Sequence, residues 1–383
     1  MRKTWLCWVA VAVLAPIALV HAQGPLQSAQ QQKPLDIYFI DTEGGQATLF
    51  VSPSGQSMLV DTGFAGNAGA APAPAATASA PAAGTPALGR DAERILAVLR
   101  QANVSVLDYV VITHYHGDHV GGAAELASRI PIRHFVDHGP YTVELQPNRS
   151  AGFIAYRTVR DRARAIVPKP GDRISIAGLD VLVVSSAGDL ISTPIRGAPG
   201  AGAPNPLCRD AGLKVPDPTP ENLESIGLVV RYGNFRLLNL ADLTWNQEHA
   251  LVCPNNWLGA FDVFHTTRHG DPNSGAPQMV HALGARVAVM NNGERKGGAP
   301  EYWRVVRDAP GLEDFWQLHR STAGGAEHNS PEPFLANINE TDHGHHLKMS
   351  ARPDGSFTVT NERTGFTKEY PARTRGAPPA SAR

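Results

Sequence analysis

The sequence predicts a mixed α/β fold, a layered domain with its site along one rim of a sheet. Two observations lead there. Apolar runs of strand length come in groups with helix-like stretches between them, as sheets covered by helices require. Three of these runs end on His or Asp, at Asp61, at His114 to His119 and at His269, so side chains of one chemistry gather where strands stop.

The elements follow in order. Arg2 and Lys3 precede an apolar run from Trp5 to Val20, and Val20-His21-Ala22 offers small residues for cleavage. Residues 1–22 therefore read as an export signal, with an uncleaved anchor as the alternative. Residues 23–34 are Gln-rich and read as a flexible leader to a domain spanning 35–371. Leu35 to Phe39, Gln46 to Val51 and Ser57 to Val60 are expected strands. Residues 65–90, almost all Ala, Pro and Gly with Ser and Thr, cannot bury enough apolar surface to order themselves and are expected to be a disordered insert. Asp91 to Gln101 is an expected helix with Ile95, Leu96, Val98 and Leu99 on its apolar face. A buried strand Tyr109 to Ile112 leads into the histidine cluster, followed by a helix-like stretch from Val120 to Ile130.

Beyond it, Ile132 to Val136 is an expected strand and Ala151 to Ile166 an expected helix, with Arg157, Arg160, Arg162 and Arg164 on a solvated face. Arg173 to Ile176 and Asp180 to Ser185 form a hairpin, and residues 189–222 a Pro/Gly-rich loop insert. Ile226 to Tyr232 and Phe235 to Leu240 alternate around Gly233-Asn234 as a second hairpin. Val263 to Thr267 and Arg286 to Met290 are strands, while Met279 to Leu283 and Glu301 to Arg307 are helical. Strands around Pro353-Asp354-Gly355 close the domain, and 372–383 reads as a disordered tail.

At 383 residues and 42% hydrophobic, the chain can bury a sizeable core as one large domain or two ordinary ones. Losing Arg2 and Lys3 with a signal leaves the 35 acidic residues in slight excess of the basic ones. No basic stripe stands out, which argues against tight binding of long nucleic acid. Cys208 and Cys253 remain outside the signal, a pair suited to an oxidising compartment such as the periplasm or the exterior. A disulfide and two separate thiols both fit the sequence.

The chemistry concentrates in Thr113-His114-Tyr115-His116-Gly117-Asp118-His119. His114 and His116 are one residue apart and can turn the same way. Gly117 lets the chain bend and aim Asp118 and His119 at a second point. Neutral imidazole and carboxylate are ligands for divalent cations, so the pattern asks for metal, and for more than one ion. Asp242 after Phe235 to Leu240, and His269 in Arg268-His269-Gly270, extend the set.

Taken in order, these residues resemble the metallo-β-lactamase superfamily, and within it the hydrolase domain of ComEC-type DNA-uptake proteins and their free-standing relatives. The likeness covers most of residues 36–325, from the Gly44-Gly45 turn and Leu59-Val60-Asp61-Thr62-Gly63 through Asn222-x-x-Ser225 and Tyr232-Gly233 to Asn291-Asn292-Gly293 and Gly297. It implies a four-layer αββα sandwich with two divalent ions at one edge, zinc first, manganese or iron as alternatives. His114 and His116 would hold one ion. Asp118, His119 and His269 would hold the other, Asp242 would bridge, and a hydroxide between the ions would be the nucleophile, making Asp118 and Asp242 the catalytic pair. Asp61 would accept a hydrogen bond from one of these histidines, unless it only forms a turn. In the resembled fold a Cys208–Cys253 bond would pin a loop across the site mouth and so restrict the substrate to a small or short extended one.

The chain also departs from the pattern. Val184-Ser185-Ser186-Ala187-Gly188 lacks the histidine that many relatives carry there, so the first ion would have fewer protein ligands. Gln46 stands where an acid is usual, and Arg268 where a second histidine is frequent. His138, His265 and His319 lie near strand ends and read as ordinary histidines, and His343, His345 and His346 fit a metal tract or a polar turn equally. The resemblance implies an exported dinuclear hydrolase of ester or phosphodiester bonds. A β-lactam or lactone hydrolase is the second reading, and a non-catalytic metal-binding protein on the same fold the third.

Overall fold

The central strands are buried on both faces, and that decides the architecture. The computed structural model describes residues 33–66, 88–143, 151–209, 212–339 and 344–373, with Met1 and Trp5. The expected signal, most of the leader, the centre of the first insert and most of the tail lie outside the described residues. One sheet contains Leu35–Phe39 (β1), Thr48–Val51 (β2), Ser57–Val60 (β3), Leu107–Val111 (β4), Ile132–Val136 (β5) and Arg164–Ile166 (β6). The second contains Arg173–Ile174 (β7), Asp180–Ser186 (β8), Asp189–Leu190 (β9), Gly227–Tyr232 (β10), Phe235–Asn239 (β11), Val263–His265 (β12), Val287–Met290 (β13), Asp314–His319 (β14) and Leu335–Asn337 (β15). Leu347–Ala351 (β16), Phe357–Asn361 (β17) and Thr367–Tyr370 (β18) then return to the first sheet, where β16 pairs antiparallel with β1.

The first sheet runs β18-β17-β16-β1-β2-β3-β4-β5-β6 and the second β15-β14-β13-β12-β11-β10-β8-β7, with β9 on β8. Side chains alternate between two cores, as the two-residue period of a strand dictates. Ile37, Phe39, Tyr109 and Val111 pack between the sheets with Leu237, Val263, Val289 and Trp316. Tyr38, Leu107, Val110 and Ile112 face the other way, onto helices Arg90–Gln101 (α1), Ala123–Ala127 (α3) and Ala151–Arg160 (α4). Leu238, Phe264, Ala288 and Met290 likewise face Trp245–Val252 (α5), Pro277–Ala282 (α6) and Pro300–Arg307 (α7). The result is helix, sheet, sheet, helix: the αββα order expected from the resemblance.

Some expectations need correction. The stretch from Val120 to Ile130 is two short helices, Gly117–Val120 (α2) and α3, broken at Gly121-Gly122. Gly121 lies against the Ala65 and Phe64 backbone, where a Cβ would come within 2.3 Å of the Ala65 nitrogen, so the break lets the cluster's helix sit on the first sheet's rim. The helix from Ala151 stops at Arg160, and Arg164–Ile166 is instead an exposed edge strand beside β5. Arg160 is therefore not solvated. Its guanidinium forks onto the buried Asp137, with Nη2 donating to Oδ1 at 2.9 Å, and Tyr156 donates to the same carboxylate at 2.7 Å. The 189–222 segment is not structureless, since β9 and two 3₁₀ turns lie within it. Strands β14 and β15 and helix α5 were not expected at all.

The described ends of the first insert are tied together. Gly66 and Gly89 both donate backbone N–H groups to the Glu125 carboxylate, at 2.7 and 2.5 Å, and the Arg90 N–H donates to the Gly66 carbonyl at 3.0 Å. Cys208 and Cys253 stand at bonding distance, with S–S 2.04 Å. No helix among the described residues is long and apolar enough to cross a membrane.

Candidate metal centre

Four segments end at the same rim and each delivers ligands. β4 runs out at Val111 and passes through Thr113 to His114 and His116, and α2 carries Asp118 and His119. The turn after β11 presents Asp242, and the turn after β12 presents His269. These turns are built against backbone preference. Asp61, Ala241, Arg268 and His269 all lie in the left-handed region, at φ of 61, 51, 50 and 55°. Such strain costs of order 1–3 kcal/mol per residue and gathers at functional sites. Local bonds hold it: Asn239 Oδ1 accepts from the Ala241 N–H at 2.9 Å, and the Ala241 carbonyl accepts from the Arg268 N–H at 2.9 Å. Gly297, at φ +74°, closes over His269, and a Cβ there would lie 2.0 Å from the His269 carbonyl oxygen.

Ligand atoms of Asp118, His119, Asp242 and His269 all lie within 4.8 Å of one another, and all four residues are buried. His119 Nε2 and His269 Nε2 face each other at 3.2 Å. Their other nitrogens are engaged. His119 Nδ1 lies 2.8 Å from Asp61 Oδ2, a carboxylate that only accepts, so the proton sits on Nδ1 and the Nε2 lone pair points inward. His269 Nδ1 lies 3.3 Å from the Asn291 carbonyl, an acceptor, and 3.1 Å from Asn291 Nδ2, a donor. Two imidazole nitrogens facing each other beside two carboxylates suit a cation rather than a hydrogen bond, so the donor set fits a divalent metal. His114 and His116 form an adjoining pair, Nε2 to Nδ1 at 2.9 Å, and the His114 ring lies 4.1 Å from the His119 ring, tilted by 51°.

The electrostatics agree. Burial works against charge on Asp242, but His269 and His119 beside it hold its carboxyl well below the usual range. Burial likewise opposes charge on Asp118, and Lys296 and His119 overcome it. Burial and the neighbouring imidazoles of His119 and His116 keep His114 neutral, the form that binds metal. His119 is the exception: despite burial, Asp242, Asp118 and Asp61 push it up, so binding a cation there displaces a proton from Nε2.

Asp61 is more than a turn residue. Its carboxylate accepts from Thr113 N at 2.8 Å, Thr113 Oγ1 at 2.7 Å, Gln46 Nε2 at 3.0 Å and His119. Gln46 in place of an acid thus serves as a donor to Asp61. Asp61→Asn keeps the shape and tolerates the left-handed backbone, but it cannot satisfy all four donors. We expect metal affinity to fall about 10- to 100-fold in competition with a chromophoric chelator. Unchanged affinity would show that Asp61 does not orient His119.

The ordinary histidines stay out of the cluster. His138 Nε2 donates to Glu221 at 2.8 Å, His319 Nε2 meets Asp41 at 2.7 Å, and His265 is buried beside Phe39 with burial and His269 pushing it down to about 3. His346 packs against Tyr38 and is pushed down to about 4 by burial, while His343 lies outside the described residues. Sequence reasoning missed Lys296, which pairs with Asp118, and Asp217, which pairs with Arg268. Only Lys296 left a signal, a cation in the Gly-flanked turn after β13. A cavity of roughly 470 Å³, open solvent at its mouth included, meets the cluster between His116, Asp118, Asn222, Asp242, Arg268 and Lys296. The cysteine pair does not wall it. The bond anchors the base of the loop, and Thr219 and Asn222 farther along do the walling, steadied where Lys214 and Asn246 exchange two 2.9 Å hydrogen bonds.

Behind His269, Glu248 is fully buried on α5 and accepts from Thr267 Oγ1 and the Ala276 N–H, at 2.5 and 2.8 Å. Burial pushes its carboxyl up to about 7 from an ordinary 4.5. The folded state thus holds this proton more tightly than the unfolded state. The contribution is fully present below pH 4.5 and lost as pH rises to about 7, a change of roughly 3 kcal/mol. Glu248→Gln should flatten the stability profile across that window in urea titrations. Identical slopes for both proteins would refute it.

Residues 41–190 match the family model described as the metallo-beta-lactamase superfamily. That span holds Asp61 and the whole His114 to His119 motif, while Asp242 and His269 lie beyond it. The two large sheets with outer helices are consistent with the metallo-beta-lactamase sandwich. A ComEC-like subgroup is not distinguished by this match. No curated protein matches the chain. Among solved structures, the metallo-beta-lactamase fold protein YhfI from Bacillus subtilis is similar at 10% identity, over 82% of this chain and 99% of that one, with a TM-score of 0.42. A variant of the CmlA beta-hydroxylase is similar at 14% identity and a TM-score of 0.38, over 75% of this chain and 52% of that one, so the chain spans about half of its length. A HARLDQ-motif variant of the metallo-beta-lactamase from Cronobacter sakazakii is similar at 11% identity, over 62% and 80%, with a TM-score of 0.33.

Proposed function

We propose that this chain is an exported, dinuclear metal-dependent hydrolase of the ComEC-like group, acting on an ester or phosphodiester bond. The observation that carries the reading is the inward-facing pair His119 Nε2 and His269 Nε2, 3.2 Å apart between the Asp118 and Asp242 carboxylates. His114 and His116 would hold a first ion, Asp118, His119 and His269 a second, and Asp242 both. Divalent cations bound there supply the positive charge that acidifies water and polarises the bond to be cut. The chain's own groups do the rest. Asp61 fixes the tautomer of His119, Asn291 holds the His269 ring from behind, and Asp118 and Asp242 stay ionised. Lys296, half exposed at the cavity mouth, favours a substrate with an anionic group near the scissile bond. The cysteine pair at bonding distance supports an oxidising compartment.

Protein purified without chelator should contain up to two divalent ions per chain, zinc first, by elemental analysis. It should turn over bis(p-nitrophenyl) phosphate in preference to nitrocefin or a lactone, and chelation should abolish turnover. A preparation that holds no metal and takes up none would end this reading. Turnover of nitrocefin or the lactone alone would replace it with the second one.

A further inference from the structure

The segment Glu221 to Ile226 lies between the histidine loop and the end of β8. The Ile226 N–H donates to the Thr113 carbonyl at 3.0 Å, the Ala187 N–H donates to the Glu224 carbonyl at 3.2 Å, and Ser185 Oγ donates to the Ser225 carbonyl at 2.8 Å. This turn therefore covers the β8 terminus, Ser185-Ser186-Ala187-Gly188, where the chain offers no histidine. It is also locked to the ligands directly. Glu221 is fully buried and accepts the backbone N–H of Tyr115, the residue between His114 and His116, at 2.9 Å. The next residue, Asn222, is 2% exposed and lines the same cavity as His116 and Asp242.

Asn222's amide orientation is fixed by its neighbours. Its Nδ2 lies 2.7 Å from Thr219 Oγ1. The Thr219 hydroxyl proton goes to Asp217, a carboxylate that only accepts, so Thr219 can only accept from Asn222. Nδ2 must face Thr219, and Oδ1 is left buried with no hydrogen-bond partner. A buried amide oxygen without a donor is costly unless something else satisfies it. Amide oxygens are competent ligands for divalent ions. We propose that Asn222 Oδ1 is a ligand of the first metal ion, joining His114, His116 and Asp242. The proposal rests on the dinuclear reading above.

Zn²⁺ titration of the chelator-stripped full chain by calorimetry, with the visible spectrum of the Co²⁺-loaded protein, tests it. The wild type should bind two ions. Asn222→Ala should keep one and bind the other at least about tenfold more weakly, with one Co²⁺ band set lost. Asn222→Asp keeps the oxygen but lacks the N–H for Thr219, and it should restore both ions. Thermal unfolding of the metal-free proteins checks that each variant folds. Two ions at wild-type affinity in Asn222→Ala would overturn the proposal. So would a folded Asn222→Asp that behaves like Asn222→Ala, since the side chain would then serve Thr219 rather than a cation. A wild type that binds no Zn²⁺ would instead defeat the dinuclear reading itself, a result these variants cannot mimic.

Discussion

Asp242→Ala is expected to lower turnover by at least about a thousandfold, since the several kcal/mol that cations lend to such a reaction go with the ions. Asp242 Oδ1 lies 3.3 Å from His119 Nε2 and 3.4 Å from His269 Nε2, so it faces both histidines of the cluster. The fold should survive. Asp242 sits on a turn after β11 and belongs to none of the three apolar clusters, and its removal relieves the burial of a charge. Circular dichroism and chemical denaturation of the metal-free variant should match wild type, while its zinc content falls. Wild-type turnover in a purified variant would remove Asp242 from the site.

The largest effect on stability is expected from Arg160→Ala. Asp137 has no exposed surface, and Arg160 supplies a two-point partner to it. Among the described residues, removing the cation leaves the buried carboxylate with Tyr156 and the Gly139 N–H as its hydrogen-bond donors. Breaking a buried pair from one side costs about 3–5 kcal/mol. Adding Asp137→Asn should recover part of this, because a neutral amide is cheaper to bury than an unpaired charge. Guanidinium denaturation gives both values. An Arg160→Ala variant within about 0.5 kcal/mol of wild type would mean that the pair is solvated.

The site was more legible in the sequence than parts of the frame around it. β3, β4 and β12 are short continuous apolar runs because both faces are buried, and each stops abruptly at a polar turn, so Asp61, the histidine motif and His269 stood out. β14 was hidden because Gln317 and His319 lie within it. Both are buried, and their partners, Asn329, Ser330 and Asp41, are distant enough that no local pattern announces them. Helix α5 was hidden for a similar reason, since Glu248 faces inward where an apolar residue would be expected. The helix from Ala151 was drawn too long because Arg162 to Ile166 has helix-forming residues, yet edge pairing with β5 decides their conformation. Partners such as Asn222, Glu221 and Lys296 are matters of tertiary placement, which no spacing encodes.

The Glu125 clamp on Gly66 and Gly89 has a consequence for how this chain can vary. The two described ends of this segment, Gly66 and Gly89, meet at a single point, gripped by one carboxylate. The length of chain between them enters the fold's free energy only through the closure of that loop. Its cost grows only with the logarithm of length, about 0.6 kcal/mol for each doubling. Insertions and deletions there are therefore nearly invisible to the metal rim. The same grip makes it a natural seat for a tag or a second domain, one that can be exchanged without disturbing Asp61 or the histidine loop beside it.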